Sequence, residues 1–109
     1  MERRKHPRHL IKKQGASNIT IEYMGNRLKG VMRDISFGGV GVFLDGLSFS
    51  IIDDAMITME VDTGEGRQKW QACVVYSVVE NDKSDRQRYG LQFLIGVQKE
   101  VNQFIEDCC

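Results

Sequence analysis

The chain has 109 residues, of which 41% are hydrophobic and 28% charged, a composition typical of one globular domain rather than of a disordered segment. No apolar run approaches the ~20 residues that a membrane helix needs, so no membrane span is expected. The basic N-terminus is not followed by the apolar stretch of a secretory signal. The three cysteines, Cys73, Cys108 and Cys109, lack the spacing of a disulfide framework, which predicts reduced thiols in a cytoplasmic protein.

The formal net charge is zero, but the charge is unevenly distributed along the chain. Residues 1–13 hold six lysines and arginines against Glu2, a net charge of +5, while nine basic and fourteen acidic residues leave −5 on residues 14–109. A basic segment ahead of an acidic body favours binding of an anion by that segment. A solvated tail without a ligand is the other interpretation of this pattern.

The chain divides into a leader and one folded domain. Residues 1–17 show no apolar periodicity and contain the one proline, Pro7, so they are predicted to form a flexible basic leader. Residues 18–109 form the predicted folded domain, in which period-two alternation predicts strands over 18–23, 28–35, 40–44, 55–61, 67–79 and 88–95. Gly25-Asn26 is predicted as a type II′ hairpin turn, and Gly30 as the site of a bulge.

A helix is predicted at the end of the chain. Apolar residues recur there on one helical face, namely Val97, Val101, Phe104, Ile105 and Cys108. Six short strands followed by a helix indicate an all-β fold, a six-stranded antiparallel β-barrel with a C-terminal α-helix, because a closed barrel hides its strand edges. Trp70 is expected to anchor the core rather than to serve as a stacking surface.

Two short patterns in the first part of the chain suit a guanine nucleotide. Arg4 and Arg8 form an Arg-x-x-x-Arg spacing around Pro7, which restricts the leader. The planar guanidinium group donates paired hydrogen bonds to the O6/N7 edge of guanine or to phosphate oxygens. Each arginine can therefore contact the base or the phosphates of a compact ligand.

The second pattern is Asp-x-Ser-x-x-Gly at residues 34–39. Asp34 can accept hydrogen bonds from the N1–H and N2–H₂ groups of guanine, and Ser36 offers a hydroxyl group. Gly38 interrupts the strand, and Gly39 permits close backbone approach or a positive φ. The same residues also form an ordinary turn, so this pattern alone does not establish a site.

Together with a third pattern, these motifs resemble those of the PilZ domain family of bacterial cyclic di-GMP receptors. The third pattern is Tyr89-Gly90-Leu91-Gln92-Phe93, which is similar to the closing strand of PilZ domains, and the resemblance covers about residues 3–106. It implies a six-stranded barrel with the nucleotide on its outer surface under the leader. It also implies nucleotide-binding roles for Arg4, Arg8, Asp34, Ser36 and Gly39, and the adjacent Gly38 is predicted to contact the nucleotide with them.

Two further arginines bear on how many nucleotides would bind. Members of this family bind one nucleotide or a stacked pair. Arg3 precedes the first motif and Arg33 precedes the second. We expect Arg3, and as an additional candidate Arg33, to stabilise a second nucleotide; simple solvent exposure is the alternative for both.

The resemblance implies a receptor that passes a signal to an unidentified effector protein, in processes such as motility, attachment or biofilm formation. No nucleophile–base pair is visible, so the chain is not expected to be an enzyme. His6 and His9 lack cysteine partners at zinc-site spacing, so no metal is expected. A monomer and a homodimer both remain open.

Two alternatives to a nucleotide receptor remain at this stage. One is a small barrel that binds RNA or single-stranded DNA through a basic arm. The charge of −5 on residues 14–109 opposes this, since it would repel a long polyanion, so no nucleic acid polymer is expected. The other is a PilZ-type adaptor that does not bind nucleotide.

Overall fold

The computed structural model describes residues 7–13, 15–44, 51–62, 66–79, 86–94 and 96–109. The elements are β1 (Asn18–Tyr23), β2 (Asn26–Ile35), β3 (Gly39–Leu44), β4 (Met56–Asp62), β5 (Arg67–Val79), β6 (Gln87–Phe93) and α1 (Gln98–Cys108). The six strands form a closed barrel in the order β1-β2-β3-β6-β5-β4, and every neighbouring pair is antiparallel. The predicted all-β barrel with a C-terminal helix is confirmed.

The hairpin between β1 and β2 turns one residue earlier than predicted. Tyr23 pairs with Asn26, so Met24 and Gly25 are the central residues of the turn. Both have positive φ, 49° and 79°, as a type I′ turn requires. The predicted type II′ turn at Gly25-Asn26 is therefore wrong, because Asn26 already belongs to β2.

The predicted bulge at Gly30 is also wrong. Gly30 pairs in register with Ile19 on β1 and with Leu44 on β3. A side chain at this position would clash with the carbonyl oxygen of Phe43, so the glycine allows two strands to pack closely. The bulge in β2 instead lies between Met32 and Asp34.

The core is centred on Trp70 in β5, which is 1% exposed. Its ring makes edge-to-face contacts with Phe93 at 5.6 Å and with Phe104 at 5.5 Å between ring centroids. Helix α1 buries Phe104 together with Val101 and Cys108 in the same cluster. The helix is thus part of the core of the domain, and the predicted placement of Trp70 is confirmed.

The described part of the leader is hydrogen-bonded to the rest of the domain at two places. His9 and Ile35 exchange two backbone hydrogen bonds, with N···O distances of 2.8 and 2.9 Å. The amides of Lys12 and Lys13 both donate to the carbonyl oxygen of Cys108, at 2.8 and 3.0 Å. This part of the leader therefore links the end of β2 to the end of α1, while its flexibility stays a prediction.

All three cysteines are free thiols. Burial raises the pKa of Cys108, and likewise raises the pKa of Cys109, so both thiols stay protonated near neutral pH. In the described ranges, no helix combines the length and the apolar character needed to cross a membrane.

Truncating Phe104 tests how much α1 contributes to the core. Phe104→Ala removes the ring that contacts Trp70 and should lower the free energy of unfolding by about 3–5 kcal/mol. Asn102→Ala, on the exposed face of α1, should change it by less than about 0.5 kcal/mol. Urea denaturation followed by Trp70 fluorescence measures both; equal stability of the two variants would show that α1 is not part of the core.

Candidate functional site

A bulge in β2 turns Asp34 away from the barrel interior. Met32 points into the core and pairs with Val42, and regular alternation would send Asp34 in the same direction. The register shift between them pairs Asp34 with Gly41 instead. A Cβ atom on Gly41 would lie 3.0 Å from Asp34 Oδ1. The carboxylate therefore lies over Gly41, on the outer surface of the barrel.

The leader brings Arg8 to this carboxylate. Arg8 Nη1 lies 3.2 Å from Asp34 Oδ1, and the two side chains are 27% and 20% exposed. The backbone bridge between His9 and Ile35 holds the adjacent residues of both segments together. The structure thus joins two of the predicted motifs, although Arg8 and Asp34 are 26 residues apart in sequence.

Ser36 builds the turn that follows Asp34. Its hydroxyl oxygen accepts a hydrogen bond from the amide of Gly39 at 3.2 Å and lies 3.3 Å from the carbonyl oxygen of Gly39. The Ser36 amide donates to the same carbonyl at 2.8 Å. Ser36 is buried, so in the structure its side chain stabilises the Ser36–Gly39 turn.

The two glycines of the turn are held against β6. The carbonyl oxygen of Gly38 accepts a hydrogen bond from the amide of Phe93 at 3.0 Å. Gly39 is not among the described residues with positive φ, but a Cβ atom there would clash with the carbonyl oxygen of Leu91. Of the two reasons proposed for glycine at position 39, the structure shows close backbone approach.

The structure places most of the predicted site residues in one region. Arg8, Asp34, Ser36, Gly38 and Gly39 lie together at the junction of the leader, β2 and β3. Arg33 is the extra residue of the β2 bulge and is exposed next to them. Arg3 and Arg4 lie outside the described residues.

Arg88 is a site candidate that the sequence patterns missed. It pairs with Phe43, one outward position along β6 from Gly90, which pairs with Gly41. Its Nε atom is buried and has no hydrogen-bond partner within the part of the chain that the structure describes. A buried donor without an acceptor is costly, and an oxygen atom of a ligand could satisfy it. Alternation around Tyr89 could have shown that Arg88 faces outward, but not that its donor is unpaired.

Arg86 adds charge to the same face of the barrel. Its guanidinium carbon lies 5.0 Å from the centroid of the Phe43 ring, a cation–π contact. The outer surface of β2, β3 and β6 therefore combines a carboxylate acceptor with several guanidinium donors. Such a set fits a compact anion that carries both phosphate groups and a planar base. Within the described ranges, no cluster of three or more residues is arranged to hold a metal ion.

The sequence model of the PilZ domain family matches residues 2–109, nearly the whole chain. The chain belongs to the PilZ domain family. This confirms the resemblance read from the three motifs. A search of curated proteins finds no match for this PilZ domain.

Solved structures agree with this assignment at the level of the fold. The PilZ domain of YcgR from Escherichia coli, with c-di-GMP, superposes with a TM-score of 0.74 at 17% identity, covering 98% of this chain and 92% of that one. The MrkH–c-di-GMP complex of K. pneumonia gives 0.75 at 16% identity, covering 98% and 52%. MotI/DgrA, an inhibitor of motility from Bacillus subtilis, gives 0.71 at 18% identity, covering 97% and 51%. The chain therefore spans about half the length of MrkH and MotI.

Two glycine substitutions test the packing of the site. Gly39→Ala should lower the free energy of unfolding by about 1–3 kcal/mol, because the new methyl group meets the backbone of Leu91. Gly41→Ala should cost less, since the methyl group meets only the side chain of Asp34, which can rotate. Both changes restrict the unfolded chain equally, so the difference isolates packing in the fold. Chemical denaturation measures it, and equal stability of the variants would contradict the close approach at Gly39.

Proposed function

We propose that this PilZ domain is a cyclic di-GMP receptor that passes a signal to another protein, and not an enzyme. The observation that carries the proposal is the contact between Arg8 and Asp34, which joins the arginine motif to the Asp-x-Ser-x-x-Gly motif. Family membership supports it, as do the structures of the YcgR PilZ domain and of MrkH with c-di-GMP. The unpaired Nε of Arg88 gives further support, since it offers a donor to a phosphate oxygen.

Asp34 would give the site its preference for guanine. Its carboxylate accepts hydrogen bonds and cannot donate them when ionised, so it suits the N1–H and N2–H₂ donors of guanine. Adenine presents no matching pair of donors on that edge, and a buried polar group left unpaired costs about 1–3 kcal/mol. Arg8 and Arg4 would supply the paired donors for the O6/N7 edge or for the phosphates.

Binding requires Arg8 to exchange its partner. In the structure Arg8 pairs with Asp34, whereas a group that reads the O6/N7 edge of a guanine and a group that reads its N1–H/N2–H₂ edge each contact the base instead of each other. Water reaches both side chains and screens the pair, so a ligand that offers its own hydrogen bonds to both groups can separate it. Loss of the pair in exchange for base and phosphate contacts would be the first step in repositioning the leader across the barrel.

The signal would then reach another protein through the changed surface of the leader. A ligand shifts such an equilibrium only by its difference in affinity for the two leader positions. We further propose that the protein acts in the cytoplasm, with an effector protein in motility, attachment or biofilm control as its partner. The description of MotI as an inhibitor of motility fits this range of processes.

Binding of cyclic di-GMP by the purified chain tests the receptor function directly. Isothermal titration should give saturable heat near one or two ligands per chain, with none for GTP as the control nucleotide. The absence of heat at high micromolar cyclic di-GMP would overturn the receptor function and leave the non-binding adaptor.

Substitutions at the motif contact should separate charge from geometry. Arg8→Ala and Asp34→Asn should each weaken cyclic di-GMP binding about 10- to 100-fold, because each loses hydrogen bonds to a charged group, which contribute about 1.5–3 kcal/mol. Arg8→Lys keeps the charge but not the paired donors and should recover only part of the affinity. Arg67→Ala, an exposed arginine that pairs with Glu60 on β4, is the matched control and should bind like the unchanged chain. If Arg67→Ala weakens binding as much as Arg8→Ala does, the role of Arg8 is explained by overall charge and not by a contact in the site.

The number of bound nucleotides tests the role proposed for Arg3 and Arg33. If these arginines stabilise a second nucleotide, the unchanged chain should bind two ligands, and Arg3→Ala should reduce the stoichiometry towards one. Arg33→Ala reports on the additional candidate in the same titration. A stoichiometry of one that Arg3→Ala leaves unchanged would contradict this role, while leaving the receptor function intact.

A further inference from the structure

A second bulge, in β5, turns Tyr76 onto the outer surface of the barrel. Val74 is fully buried in the core and pairs with Leu91, so regular alternation would also send Tyr76 inward. The register shifts between Val74 and Tyr76, and Tyr76 pairs with Gly90 instead. Its side chain is 41% exposed. Bulges commonly redirect a side chain next to a functional site.

The ring of Tyr76 lies directly over Gly90. A Cβ atom on Gly90 would clash with three carbon atoms of the ring, Cε2, Cδ2 and Cζ. Only glycine therefore allows the ring to rest against the backbone of β6. Because Tyr76 remains exposed, part of its ring surface is open to solvent.

Tyr76 and Asp34 approach each other across four strands. Asp34 pairs with Gly41, Gly41 pairs with Gly90, and Gly90 pairs with Tyr76. The carboxylate covers the first glycine and the aromatic ring covers the second. Because Gly41 and Gly90 are paired on adjacent strands, the carboxylate and the ring are about one strand spacing apart, ~5 Å. This separation is comparable to the width of a purine base.

Protection of a glycine does not explain this arrangement by itself. An aromatic side chain across from a glycine is a known way of filling the gap in a sheet, and it accounts for Tyr76 over Gly90. It does not account for a carboxylate over Gly41, or for separate bulges that aim Asp34 and Tyr76 at the same pair of glycines. A planar ligand with hydrogen-bond donors on its edge accounts for both groups: its face stacks on the Tyr76 ring, and its edge donates to the Asp34 carboxylate.

We propose that Tyr76 is the stacking surface for a guanine base whose hydrogen-bonding edge faces Asp34. The proposal rests on the proposed function and adds a base-contacting residue that lies in neither motif. The exposed surface of the ring supplies stacking, which any base can use, and Asp34 selects guanine. Arg88, one outward position along β6 from Gly90, offers its unpaired Nε donor next to such a base.

Titration of three Tyr76 variants with cyclic di-GMP tests the stacking. Tyr76→Ala should weaken binding roughly 5- to 150-fold, the range that base–aromatic stacking gives. Tyr76→Leu keeps an apolar cover over Gly90 but has no aromatic ring, so it should lose affinity similarly while staying folded. Tyr76→Phe should bind within about 2-fold of the unchanged chain, because it keeps the ring. Met56→Ala, an exposed apolar residue on β4 that pairs with Cys73 and lies outside β2, β3 and β6, is the control and should not change affinity.

A direct signature comes from ¹⁹F NMR of the chain labelled with fluorotyrosine. The resonance of Tyr76, assigned by its absence in Tyr76→Phe, should shift on addition of cyclic di-GMP, because a stacked base changes the ring-current field. The resonance of Tyr89, which is fully buried in the core, should stay in place.

The outcomes separate this inference from the receptor function. If the unchanged chain binds and Tyr76→Leu binds equally well, Tyr76 has no stacking role and the receptor function stands. If Tyr76→Phe binds as weakly as Tyr76→Leu, the hydroxyl group matters instead of the ring, and stacking is overturned. If the unchanged chain does not bind cyclic di-GMP, both proposals fail together.

Discussion

The outward direction of Asp34 is the constraint on which the site depends. Two residues before it, Met32 is in the core, and one residue after it, Ile35 is fully buried. A strand without the bulge would carry the carboxylate into the barrel, where an unpaired charge costs several kcal/mol. The extra residue, Arg33, lies on the surface and shifts the alternation of β2 by one residue, so Asp34 also faces outward. The same strand can therefore supply both core and site.

The position of the leader follows from the end of β2. Ile35 points its side chain inward, and its backbone remains available to exchange two hydrogen bonds with His9. This bridge sets Arg8 within reach of Asp34, while the amides of Lys12 and Lys13 are bound to the last turn of α1. The site and the terminal helix are thus connected by one short segment of chain, and α1 is itself fixed to Trp70 through Phe104.

The sequence was sufficient for the fold and for part of the site. Alternation located all six strands, and helical spacing located α1, because these periods reflect burial directly. The turn at Met24-Gly25 and the bulge next to Arg33 were missed, since both depend on the register between strands. Nothing local distinguishes an inward residue from an outward one after an extra residue has been inserted.

The site residues that sequence patterns do not predict were missed for one common reason. Gly41, Gly90, Tyr76 and Arg88 belong to three different strands, and they are neighbours only because β3, β6 and β5 are adjacent in the barrel. Gly90 belongs to a strand motif that the sequence shows, but the need for glycine there is visible only when the ring of Tyr76 is in place. Side chains that meet across strands carry no spacing signal along the chain.

The energies of the leader contacts suit the proposed exchange. The ion pair of Arg8 with Asp34 is a single contact that water reaches, whereas four backbone hydrogen bonds, each worth about 0.5–1.5 kcal/mol, hold residues 9–13. A nucleotide that competes for Arg8 therefore has to break only the ion pair with Asp34. It can bind the Arg8 side chain while the backbone hydrogen bonds of the leader stay in place. Any further movement of the leader would have to break the bonds to Ile35 and Cys108, and only the difference in ligand affinity between the two positions can supply that energy. A small rearrangement around Arg8 is for this reason the first step that binding would produce, and displacement of the segment that contacts α1 would require the larger set of base and phosphate contacts.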